Sequence, residues 1–136
     1  TLDLRVRAQS HSALEIANRL TADPRVEHVL YPGLVGHPGH ELASRQMGGV
    51  FGSMVSFTVK GDFATAKRVV DSTKLFQLAV SLGAVESLIE QPAAMSHASY
   101  DAADRKAHGI DDGLVRLSVG LEDVEDLWQD LDAALG

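Results

Sequence analysis

The chain has 136 residues, 45% of them hydrophobic, and a formal charge of −7, a composition that suits one domain with a core of its own. An acidic chain without a basic stripe argues against a nucleic-acid partner, and no apolar run approaches the length of a membrane span. Cysteine is absent, which excludes disulfides and a thiolate nucleophile and is in keeping with the cytoplasm; the charged opening, "TLDLRVRAQS", does not resemble a signal peptide.

Leu2, Val6, Ala13, Ile16, Ala17 and Leu20 recur near one face of a 3.6-residue period and predict a long first helix. A helix entered at the first residue, with no turn ahead of it, leads us to expect more chain upstream. Asp23-Pro24 stops that helix, and Val26 to Tyr31 reads as a short strand closed by Pro32-Gly33. "HPGHELASRQM" predicts a short helix with Leu42, Ala43 and Met47 on its apolar side. In "SMVSFTVKG", Val55, Phe57 and Val59 alternate with Ser56, Thr58 and Lys60, the pattern of a half-buried strand.

Asp62 can cap a third helix whose apolar positions are Phe63, Ala66, Val69 and Val70. "FQLAV" is a short strand running into "SLGAVESLIEQPA", and "DAADRKAHG" can hold a short helix ended by Gly109. In "LVRLSVGLED", Val115, Leu117 and Val119 alternate with Arg116 and Ser118, predicting a last strand. Gly120 is expected to open the final helix, with Glu122, Asp123, Glu125 and Asp126 in its first turn and Leu121, Val124, Leu127, Trp128, Leu131 and Leu135 along its buried stripe. The order predicts one α+β domain over residues 1–136, with a small antiparallel-rich sheet of roughly three or four strands covered by helices on one face. The alternation leaves the other sheet face to meet solvent or another domain.

Arg116 is the residue that asks for a function. A guanidinium held at a sheet surface without a partner costs several kcal/mol, so it answers either to a carboxylate in a surface ion pair or to a ligand's anion, for which arginine's planar fork is suited. Ser118 shares its face. In "AVSLGAVES", Ser81 and Gly83 interrupt an apolar strand, which makes either an ordinary bend or a place where backbone approaches a ligand. His37 and His40 lack helical i, i+4 spacing and a third ligand, so no metal site is expected there; His97 and His108 read as structural or surface residues.

Three stretches taken together, "YPGLVGHPGHELASRQM", "SLGAVESLIEQPAAMSHAS" and "GIDDGLVRLSVGLEDVEDLWQDLDAAL", resemble the C-terminal domain of the pyridoxal-phosphate-dependent Cys/Met metabolism enzymes. That family includes cystathionine γ-lyase, cystathionine γ-synthase and methionine γ-lyase, and the resemblance covers essentially the whole chain. It implies the small, substrate-clamping domain of a fold type I, aminotransferase-like enzyme that eliminates or replaces a group at Cγ of a sulfur amino acid. It also implies pyridoxal 5'-phosphate as cofactor, an N-terminal cofactor domain outside this chain, and a homo-oligomer, typically a tetramer.

By the same resemblance Arg116 binds the substrate α-carboxylate, Ser81 lies beside it, and Val80, Leu82 and Gly83 stand near the cofactor and set specificity. None of Lys60, Lys67, Lys74 and Lys106 matches the cofactor-bearing lysine, so no catalytic residue is expected within the chain, which alone should be inactive. Val80 stands where many γ-synthases and γ-lyases carry glutamate, as in methionine γ-lyases, while "SLGAVES" and "HPGHELASRQM" are nearer the cystathionine enzymes. Two alternatives stay open beside a cystathionine γ-lyase or γ-synthase: a methionine γ-lyase-type enzyme, and a non-catalytic binding or oligomerisation module.

Overall fold

The computed structural model describes all 136 residues, Thr1–Gly136. Its elements run α1 (Leu2–Ala22), β1 (Val26–Leu30), α2 (His40–Met47), β2 (Met54–Val59), α3 (Phe63–Ser72), β3 (Gln77–Leu78), β4 (Leu88–Glu90), α4 (Ala102–Ala107), β5 (Leu114–Ser118) and α5 (Val124–Leu135). The strands form one sheet in the order β1-β2-β5-β4-β3. All neighbours are antiparallel except the short parallel pair of β3 and β4. The fold is thus α+β with a mixed, antiparallel-rich sheet. No helix is long and apolar enough to cross a membrane.

Helices α1, α3 and α5 pack on one face of this sheet. The inward residues of β2 and β5, namely Val55, Phe57, Val59, Val115 and Leu117, are at most 2% exposed and interleave with Ile16, Leu20, Val69, Leu127 and Leu131 from the helices. Each strand residue turned inward is followed by one turned outward, so one apolar face per strand suffices to bury a continuous core. Tyr31 sits at the head of that core, wholly buried, and its hydroxyl donates to the carbonyls of Gly52 at 2.9 Å and Ser10 at 3.2 Å.

Several details depart from the sequence expectation. The buried stripe of α1 begins at Gln9 rather than Leu2, because the first two turns project beyond the sheet and leave Leu2 69% exposed. Helix α2 buries no residue completely, and Leu42 and Met47 stay exposed. Phe63, at the start of α3, is likewise exposed, the buried face beginning at Ala66. The sheet has five strands, since "SLIEQ" contributes β4 as a strand distinct from "FQL". The final helix starts at Val124, with Asp123 accepting the amides of Glu125 and Asp126. Residues 120–123 fall short of that helix because Glu122 is drawn away to Ser87, which also leaves Leu121 exposed.

Candidate functional site

Arg116 lies in the middle strand of the sheet, on the face opposite the helical core, between Ser56 of β2 and Glu90 of β4. Its neighbours Val115 and Leu117 are fully buried, so the strand cannot turn to release it. The side chain is 22% exposed and reaches toward β4: Nη1 lies 3.0 Å from Oε1 of Glu90, whose side chain is 1% exposed. Nη2 donates to the carbonyls of Val80 at 2.8 Å and Ser81 at 3.1 Å. Nε is buried and has no partner. The guanidinium therefore has one of the two answers the sequence left open, an intrachain carboxylate, and it also lies against the Ser-Leu-Gly bend.

That bend, residues 79–87, leads out of β3 and returns into β4. It is short, irregular and fastened at several points, as a loop with so few side chains to bury must be. Ala79 donates to the Ile89 carbonyl at 3.1 Å, and Gly83, at φ +75°, donates its amide to the Ser118 hydroxyl at 2.8 Å. The positive φ is one that glycine adopts without strain. Gln9 of α1 donates to the Ala84 carbonyl at 2.7 Å. Glu122 accepts both the amide and the hydroxyl of Ser87, and the Ser87 oxygen in turn accepts the Gly120 amide at 2.8 Å. Val80, Ser81, Leu82 and Gly83 themselves are exposed.

The predicted site residues thus come together: Arg116 touches the backbone of Val80 and Ser81, and Gly83 is tied to the same strand through Ser118. Sequence reasoning missed Glu90, Ser87, Glu122 and Gln9, which hold the arginine and the bend. A signal was present for Glu90, a lone charge in the apolar run "SLIEQPA". The other three are polar residues whose partners are distant in sequence. His40 is engaged through both ring nitrogens, Nδ1 with the Pro32 carbonyl at 2.7 Å and Nε2 with Ser44 at 3.3 Å, and its ring packs on Phe51.

Two cavities, of about 430 and 450 Å³, lie elsewhere. One is between α1, β1 and residues 34–38; the other is beside the start of α3, around Asp62, Lys106 and Asp111. Neither is lined by Arg116 or the bend.

A family model of the Cys/Met metabolism PLP-dependent enzymes matches residues 1–136. The chain belongs to that family. Among its relatives, mouse cystathionine γ-lyase is 53% identical over 99% of this chain and 34% of its own length. L-methionine γ-lyase of Fusobacterium nucleatum subsp. polymorphum is 48% identical over 99% of the chain and 34% of its own length. A crystal structure of a Campylobacter jejuni chain described as an O-acetylhomoserine (thiol)-lyase, bearing a pyridoxyl-lysine monophosphate adduct, superposes with a TM-score of 0.92 at 34% identity, over 98% of this chain and 32% of that one. The chain spans about a third of the length of the relatives it matches.

The family is PLP-dependent, and the residues present can be tested against that cofactor. An imine-forming lysine has to be lowered in pKa by a desolvated or positively charged site. Lys60, Lys67, Lys74 and Lys106 are all exposed, and Lys67 is paired with Asp71. These residues do not fit the anchoring of the cofactor. Arg116, with its Nε unpartnered, has a donor left for an acceptor.

Proposed function

We propose that this chain supplies the substrate-carboxylate side of the active site of a PLP-dependent enzyme acting at Cγ of a sulfur amino acid, of the cystathionine γ-lyase or γ-synthase type, with the cofactor anchored by residues outside these 136. The observation that carries the reading is the guanidinium of Arg116 held on a rigid strand against the Val80–Ser81 backbone. Pyridoxal phosphate, when bound, supplies an electron sink that weakens whichever Cα bond is aligned with it. What a clamp on the α-carboxylate adds is orientation: with that group fixed, rotation about Cα is restricted and the correct bond is presented.

In this reading a carboxylate takes the place of the two carbonyls on Nη2 and also finds the unpartnered Nε, exchanging neutral acceptors for a charged one. Charge-assisted bonds to arginine are roughly twice as strong as neutral ones and favour the bidentate geometry. Because Glu90 already balances the arginine's charge, recognition depends on short-range geometry more than on long-range attraction. Ser81 stands at the same bend and is assigned to the same carboxylate; Leu82 and Gly83 shape its outer edge.

Val80, 55% exposed, presents an apolar surface beside this clamp. It offers no charge to a distal amino group, which is the observation that favours the second reading, a methionine γ-lyase-type enzyme acting on an uncharged thioether tail. We further assign the protein to the cytoplasm, in keeping with its lack of cysteine, and to a homo-oligomer, a tetramer in the full enzyme.

In the enzyme containing this chain, Arg116→Ala should lower kcat/KM at least about tenfold, mainly through KM, the order expected from losing one charge-assisted pair. Steady-state kinetics with methionine and with cystathionine measures it. An unchanged kcat/KM on both would remove the clamp role.

A further inference from the structure

Glu90 has an environment that stability alone does not explain. It faces Arg116 directly across β4 and β5 and is 1% exposed. Its Oε1 accepts from Arg116 at 3.0 Å and from the Ser96 hydroxyl at 3.2 Å, whereas its Oε2 is buried with no partner at all. A carboxylate with one satisfied oxygen is a costly occupant of a buried position, and replacing a buried ion pair whole by apolar residues of similar volume is often neutral or stabilising. What the pair does accomplish is geometric. Glu90 holds the Nη1 side of the guanidinium against β4, which turns Nη2 toward the Val80 and Ser81 carbonyls. An arginine without that anchor has four rotatable side-chain bonds and would have to be ordered each time a ligand bound.

We propose that Glu90 is a positioning residue: anchored by Ser96, it holds the Arg116 guanidinium in the orientation that receives the substrate carboxylate. The proposal rests on the reading of Arg116 as the carboxylate clamp. Glu90 touches no reacting atom in this scheme, so its effect should fall on binding of the carboxylate and not on the chemical step.

The test is Glu90→Gln in the enzyme containing this chain, a change that keeps shape and one acceptor but removes the charge. KM for whichever of cystathionine and methionine the enzyme turns over should rise about tenfold while kcat stays within about threefold, the pattern of a weakened ground-state contact. Inhibition by 3-(methylthio)propylamine, which lacks the carboxylate, should change less than about twofold, because Arg116 has nothing to hold in that ligand. Ser96→Ala, at an exposed position, should raise KM in the same direction by about threefold and add nothing in the Glu90→Gln background.

An unchanged or lowered KM in Glu90→Gln overturns the proposal, as does an equal weakening of the amine, which would indicate a general structural defect. Should Glu90→Gln fail to fold, Ser96→Ala decides: a KM equal to the parent's overturns it. Loss of kcat/KM in Arg116→Ala with none in Glu90→Gln would sink the role of Glu90 alone. No loss in Arg116→Ala would sink the clamp itself.

Discussion

At the scale of single residues, this chain uses arginine in two ways that look alike in sequence. Arg116 lies against the bend between β3 and β4, whereas Arg25 is part of the fold's own fastening. Arg25 binds Asp23 at 2.6 Å, pairs with Asp132 of α5, and donates to the carbonyls of Asp132 and Gly136, joining the end of α1 to the end of α5. The hydrogen bond from the Arg25 side chain holds the Asp23 carboxyl below the usual carboxylate range, outweighing the opposing effect of burial. A depressed carboxylate pKa contributes stability that is complete above the unfolded value, about pH 4, and is lost as pH falls through the folded one. We therefore expect Arg25→Met to lower stability at pH 7 by about 1–2 kcal/mol, discounted for the partial exposure of the arginine. The gap in urea stability between pH 7 and pH 3 should narrow by a similar amount. A gap of unchanged size would show that Asp23 is not the group responsible. Nothing adjacent in sequence separates the two arginines: Arg25 has Asp23 two positions away, but the buried partner of Arg116 is 26 positions before it, on a strand too short to read from its pattern.

At the scale of elements, the segment that matters is the bend between β3 and β4, and its neighbour Gly120 shows how tightly it is seated. A Cβ placed on Gly120 would lie 2.4 Å from the Val85 carbonyl oxygen and 2.6 Å from the Ser87 amide nitrogen, both backbone atoms that cannot swing aside. Gly120→Ala should thus cost about 1–3 kcal/mol, the range for forcing an extra methyl into a packed site. In the intact enzyme it should raise KM as the bend shifts away from Arg116. Thermal unfolding of the chain and enzyme kinetics check the two effects, and a variant with parental values in both would show the contact to be slack. The same crowding explains why α5 begins later than its acidic run suggests. Glu122 gains more from accepting the Ser87 amide and hydroxyl, groups otherwise left unsatisfied at the buried end of the bend, than from one more charge at a helix start.

At the scale of the whole molecule, one sheet face is sealed by helices, while exposed apolar side chains gather on either side of the site. Leu78, Val80, Leu82 and Val85 line the bend, Leu121 follows β5, and Leu2 and Leu4 stand in the first turn of α1; all are 43–72% exposed. Apolar surface of this extent drives association when it has no cover. We expect the isolated chain to form dimers or larger species in light scattering at high concentration, and a persistent monomer would contradict that. Alternation on β2 and β5, the buried stripes of α1 and α5 and the cap of α3 were all legible in the sequence, because they depend on periodicity and near neighbours. So was the candidacy of Arg116, a charge that breaks an apolar strand pattern. Only the tertiary structure decided that Glu90 faces it, that Glu122 leaves the last helix for Ser87, that "LIE" is a strand, and that the first turns of α1 stand clear of the core. Each of these depends on which segments the sheet order brings side by side, and a period along one chain carries no information about the partner across the sheet.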